Sequence, residues 1–173
     1  MTNELMKEIE VKIARRFLEI YNKKMGCHFT IDHVGESPDI GCIDEKTGER
    51  LDLEIAVYEN LGGDIKKEFE RIRGERESLG LSMGMRGNID NILENLKTLL
   101  DKKLLASYGN TPTALVIGRI TTIWSPNDWR VFAAQFVKVL FQGREENFQK
   151  GVWIFWDKSE TENGELLNLL DMR

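Results

Sequence analysis

The chain has 173 residues, 41% of them hydrophobic and 31% charged, with 29 acidic against 24 basic groups and a net charge of −5. That length and apolar content suit one domain over residues 1–173 with a single core. The slight negative balance excludes a global positive field that would draw in a polyanion, so contact with nucleic acid must use a local basic patch.

The two cysteines, Cys27 and Cys42, are not spaced like a zinc site and are too few for a disulfide framework. They read as small core hydrophobes in a reducing compartment. The first residues, Met1 to Glu8, hold no apolar stretch, and no run approaches the ~20 apolar residues that span a bilayer. A soluble, cytoplasmic protein with no membrane partner is the expectation.

From Asn3 to Lys24 the residues Leu5, Ile9, Ile13, Phe17, Leu18, Ile20 and Tyr21 recur at helical spacing, and Gly26 is placed to stop the helix. Three short strands follow, near Cys27 to Val34, Asp39 to Asp44 and Arg50 to Tyr58. The Glu45 to Glu49 stretch between the last two has hairpin-turn chemistry. In the third strand Leu51, Leu53, Ile55 and Val57 alternate with Asp52, Glu54, Ala56 and Tyr58, the period-two pattern of a half-buried strand. Its polar face carries Asp52 and Glu54 together.

Asp64 to Arg76 is helix-like and dense in charge, and the glycines from Gly74 to Gly87 predict a break or mobile loop near Leu79 to Gly87. Asn88 can cap a further helix whose stripe is Ile89, Ile92, Leu93, Leu96, Leu99, Leu100 and Leu104, running to about Ser107. Thr113 to Gly118 and Val152 to Trp156 are nearly continuous apolar runs, as in central strands covered on both faces. Between them Pro126 to Leu140 is helical, with Ser125 as its cap. An acidic tail ends the chain.

A hard cation such as Mg²⁺ or Mn²⁺ needs carboxylate oxygens converging from adjacent strands. Asp39 opens the second strand just after Pro38, Glu54 sits in the middle of the third, and the turn between folds them side by side. Ser37-Pro38-Asp39-Ile40-Gly41, then a hairpin, then Leu51-Asp52-Leu53-Glu54-Ile55-Ala56 resembles the core motif of the PD-(D/E)XK, or restriction-endonuclease-like, nuclease superfamily. The element order is similar as well, from the first helix to the last strand. The resemblance implies a three-layer α/β/α core with a mixed central sheet flanked by helices. It also implies hydrolysis of nucleic-acid phosphodiesters, DNA before RNA, with Asp39 and Glu54 holding the metal.

In that family an acidic residue on the first helix often lies near the metal. Of Glu8, Glu10 and Glu19, the choice here is Glu19. The family's lysine, two residues after the glutamate, is replaced by Ala56. A displaced lysine would come from the following chain: Lys66 and Lys67 are chosen, with the later Lys103 also in reach. Homodimers are common among such relatives.

Blander readings stand beside these. Pro-Asp is a common turn dipeptide, and Asp-Leu-Glu on a strand is most often a solvated face. Glu36 reads as a solvated turn residue, and His28 and His33 as polar strand residues. Arg71, Arg73, Arg76 and Arg86 could hold a phosphate backbone, but the interleaved Glu70, Glu75 and Glu77 favour helix ion pairs. Trp124, Trp129, Trp153 and Trp156 could stack bases, although core packing explains them as well. With Ala56 in place of the lysine, a catalytically inactive scaffold that binds nucleic acid or a protein partner is the alternative, and an unrelated α/β protein is a third.

Overall fold

The computed structural model describes residues 3–58, 98–106, 108–119, 148–156 and 165–172. The expected helices at Asp64–Arg76 and Pro126–Leu140, the break at Leu79–Gly87, and the residues Lys66, Lys67, Arg71, Arg73, Arg76, Arg86, Trp124 and Trp129 lie outside them.

Helix α1 runs from Asn3 to Met25. It stops where the spacing predicts. Gly26 adopts a left-handed φ of 70°, and its N–H and that of Cys27 both donate to the Asn22 carbonyl, at 2.8 and 3.1 Å. The Asn22 side chain then clamps the next strand, accepting from the Phe29 N–H and donating to the Phe29 carbonyl, both at 2.9 Å. Helix and sheet are thereby tied within seven residues.

The sheet has six strands in sequential order: β1 (Phe29–Val34), β2 (Ile40–Asp44), β3 (Arg50–Tyr58), β4 (Thr113–Arg119), β5 (Val152–Trp156) and β6 (Glu165–Asn168). It is mixed: β3–β4 and β4–β5 pair parallel, while β1–β2, β2–β3 and β5–β6 pair antiparallel. The molecule is therefore a mixed α/β protein built on a six-stranded mixed sheet. The end of the chain departs from the expected acidic tail, because Glu165–Asn168 pairs with β5 and a 3-10 turn, Leu169–Met172, follows. Leu166, Leu167 and Leu169 are buried, so apolar burial outweighs the local charge that makes the segment look solvated.

The β2–β3 turn is built by Asp44, whose carboxylate accepts from the backbone N–H groups of His28, Lys46 and Thr47. Gly48 closes it at φ 73°, donating to the Asp44 carbonyl at 2.8 Å. These three donors hold the Asp44 carboxyl below the ordinary carboxylate range.

The two faces of the sheet are covered differently. Leu51, Leu53, Ile55, Ala114, Val116 and Trp153 pack under Phe17, Leu18 and Tyr21 of α1. Trp153 meets Phe17 and Tyr21 edge to face, so it belongs to the core. On the opposite face Ala56, Leu115, Ile117, Val152 and Ile154 pack under Leu100 and Leu104 of the helical residues 98–105, here α2. β3 is accordingly covered on both sides, not half-buried as its alternation predicts. On its second face Ala56 packs with Leu100 and Leu104 of α2, and Glu54 meets Lys103 from the same helix.

Among the described residues no helix is long and apolar enough to cross a membrane. Both cysteines are free thiols. Cys42 is buried beneath α1 and pushed up to about 12 chiefly by that burial, while Cys27 is half-buried against Asn22.

Candidate active site

The ladder between β2 and β3 pairs Gly41 with Asp52 and Ile40 with Leu53. One step further the same register sets Asp39 opposite Glu54. Asp39 extends the ladder with its side chain: its Oδ2 accepts the Ile55 N–H at 2.7 Å. Its own carbonyl accepts the Gly35 N–H at 2.9 Å, which closes the Ser37-Pro38 loop behind it. The two carboxylates are thus brought together by backbone hydrogen bonding and not by mutual attraction, which between like charges is absent.

What offsets their repulsion is Lys103. Its Nζ donates to Glu54 Oε1 and lies 3.6 Å from Asp39 Oδ2. The side chains of Glu54, Asp39 and Lys103 are 9%, 12% and 24% exposed, so the triad sits in a largely dry place where charge counts for more than in water. Glu54 nonetheless keeps a raised pKa. Burial is the largest cause and the Asp39 charge adds to it, while the hydrogen bond and charge of Lys103 pull the other way. Among the described residues, Glu54 Oε2 is buried without a hydrogen-bond partner.

Lys103 comes from α2, which lies over the very position where the motif lysine is missing. Ala56 is 1% exposed and packed in one cluster with Leu100 and Leu104. A long side chain at 56 would occupy the room that α2 takes, and α2 brings its own lysine to the same carboxylates. The expected replacements Lys66 and Lys67 lie outside the described residues, and among those described Lys103 is the lysine in contact.

Glu19, the expected acidic residue on α1, is 63% exposed and ion-pairs with Arg16 at 2.7 Å. Glu10 is the residue on which the site acts. Burial raises its pKa first, the charges of Asp39 and Glu54 raise it further, and Lys103 opposes them. Nine residues separate Glu10 from Glu19, about two and a half turns, so the two project from opposite faces and only one can approach the sheet.

His33 forms a separate feature on the edge strand β1. His33 lies over Gly41, where an added Cβ would come within 2.0 Å of the ring, and its Nδ1 is 3.2 Å from Asp32. His33, His28 and Glu36 are exposed, as polar strand and turn residues should be. None contacts the triad.

With Glu10, Asp39 and Glu54 ionised and Lys103 protonated, the site carries three negative charges against one positive, a net −2. A divalent cation would balance that charge and supply a partner for Glu54 Oε2. Two carboxylates are also what Mg²⁺ commonly takes from a protein when the remaining ligands are water and substrate phosphate. Among the described residues no group of three His, Cys, Asp or Glu side chains converges closely enough to hold a metal unaided. No family model matches the chain, and no curated protein or solved structure is similar to it.

Proposed function

We propose that the chain is a divergent restriction-endonuclease-like protein with a three-layer α/β/α core, hydrolysing nucleic-acid phosphodiesters with Mg²⁺ or Mn²⁺, DNA before RNA. The observation that carries the reading is the joint contact of Lys103 with Asp39 and Glu54. It restores, from another element, the cation that Ala56 removes from the motif. Asp39 and Glu54 would hold the metal, with Glu10 adding negative charge from α1. When bound, the cation supplies polarisation of a phosphoryl oxygen and a lowered pKa for a nearby water. Lys103 can donate to a phosphate oxygen on which negative charge grows, worth on the order of 10²–10³-fold in rate for one well-aimed donor. Asp39 is held by the Ile55 amide, so its free oxygen keeps a fixed direction. The net charge of −5 gives no long-range attraction, so substrate must be captured by local cations.

The catalytically silent scaffold remains the second reading, favoured by Ala56 and by the absence of a preformed three-residue metal group among the described residues. Cleavage of single- and double-stranded DNA and RNA with Mg²⁺ or Mn²⁺ separates the two. The wild type should cut, while Asp39→Ala and Glu54→Ala should not, and Lys103→Met should be slower by the factor above. Cleavage that survives Asp39→Ala and Glu54→Ala removes this site from the mechanism, and no cleavage by the wild type leaves the scaffold.

A further inference from the structure

The side chain that holds Lys103 in place comes from beyond the end of its helix. The last carbonyls of a helix lack intrahelical partners. The carbonyl of Lys103 is one of them, and from the backbone of the described residues it receives a 3.3 Å bond, from the Ala106 N–H. The Tyr108 hydroxyl supplies the stronger partner, donating to that carbonyl at 2.8 Å. Tyr108 itself is anchored: its ring packs on Phe148 with centroids 5.0 Å apart, and Phe148 is 1% exposed in the core beneath α2.

We propose that Tyr108 is a positioning residue, whose hydroxyl fixes the last turn of α2 and thereby aims the Lys103 ammonium at Asp39 and Glu54. The proposal rests on the reading of Lys103 given above, but its geometry does not depend on any substrate. The hydroxyl also lies where the carboxylates bear on it. Burial first, then the charges of Glu54 and Asp39, lift the phenol pKa well above its usual range, so it stays a donor throughout the physiological range.

Tyr108→Phe keeps the ring and deletes the bond. The test is a short pulse of an acetylating reagent on the folded full-length chain, with the rate at each lysine read by mass spectrometry. Lys103, ion-paired and only 24% exposed, should react more slowly than the exposed Lys102 and Lys24 in the wild type. In Tyr108→Phe, Lys103 should react at least about threefold faster while Lys102 and Lys24 keep their rates, a local loosening and not a global one. A smaller change at Lys103, or a rise shared by all three lysines, overturns the positioning role. Where cleavage is measurable, the same variant should lower kcat with KM unchanged, and an equal loss through KM alone also counts against it. Absence of cleavage in the wild type would remove the nuclease reading but leave the labelling result decisive for Tyr108.

Discussion

Lys103→Met removes the ammonium shared by Asp39 and Glu54 while keeping most of the side-chain volume. Breaking a buried ion pair by deleting one partner typically costs about 3–5 kcal/mol, because a charge is left without compensation. Here the lysine is 24% exposed, and Glu54, its pKa already raised by burial, can escape by taking up a proton. Both effects lower the expected cost to about 2–3 kcal/mol at pH 7. In a chain of this size that is a fall of about 4–12 °C in Tm, at about 2–4 °C per kcal/mol. Urea unfolding should show the loss as a shift in midpoint at unchanged slope. The pH dependence has a definite sign. Without Lys103 the folded pKa of Glu54 rises further above its ordinary 4.5, so the penalty is small below that pH and grows as pH rises through the folded value. Adding Glu54→Gln should recover part of the loss, with a coupling of about 1–3 kcal/mol. A loss under about 0.5 kcal/mol, or strict additivity of the two substitutions, would refute the view that Lys103 compensates this pair.

Glu10→Gln should raise Tm at pH 7 and leave it unchanged near pH 4, because the folded pKa of Glu10 lies above 4.5 and its charge is a liability only above that; calorimetry at the two pH values decides it, and a lower Tm at pH 7 contradicts it. The same substitution should weaken Mn²⁺ binding measured by calorimetric titration. Asp44 behaves in the opposite sense: its lowered pKa contributes stability above the ordinary 3.8 that is lost as pH falls through the folded value. Asp44→Asn should therefore unfold with a flatter acid limb between about pH 5 and 2, read as Tm against pH (about one and a half units either side of the ordinary carboxylate pKa). At Gly118 an added Cβ would meet Ile13 Cδ1 at 2.4 Å, so Gly118→Ala should cost about 1–3 kcal/mol by overpacking α1 on β4, with partial recovery on adding Ile13→Ala.

Much of the frame was legible from local chemistry. Gly26 ends α1 where its left-handed φ is needed, Asp44 and Gly48 make the β2–β3 turn, and the apolar runs at Thr113 and Val152 are interior strands. These features depend on a few neighbouring residues and therefore leave a signal in the sequence. The site was half legible. Asp39 and Glu54 follow from the hairpin register, but the α1 glutamate that feels their charge is Glu10 where Glu19 was expected, and the lysine that the described residues bring to the pair is Lys103. A signal for both lay in the helix periodicity. Glu10 stands seven residues before the fully buried Phe17, nearly two whole turns, so it projects along the buried arc of α1. Lys103 likewise falls three residues after the buried Leu100 and four after Leu99, beside the apolar arc of its helix. A charge placed on a buried stripe is costly unless something across the interface needs it. β6 was hidden for the converse reason: four residues are too few for a period, and only pairing with β5 makes them a strand.

The long reach of Lys103 has a consequence for the order of assembly. Asp39 meets the Ile55 amide across 16 positions, whereas Lys103 meets Glu54 across 49. Closing the longer loop costs about 1 kcal/mol more in chain entropy, and it must await parallel pairing of β3 with β4, a slow kind of contact. A chain emerging from the ribosome therefore forms its acidic hairpin first and gains the neutralising ammonium only when β4 docks. On this order Lys103→Met accelerates unfolding and leaves the folding rate nearly unchanged, whereas Asp44→Asn slows folding. The triad thus works as a late lock on the native state, closing after the strands that carry its acids have already met.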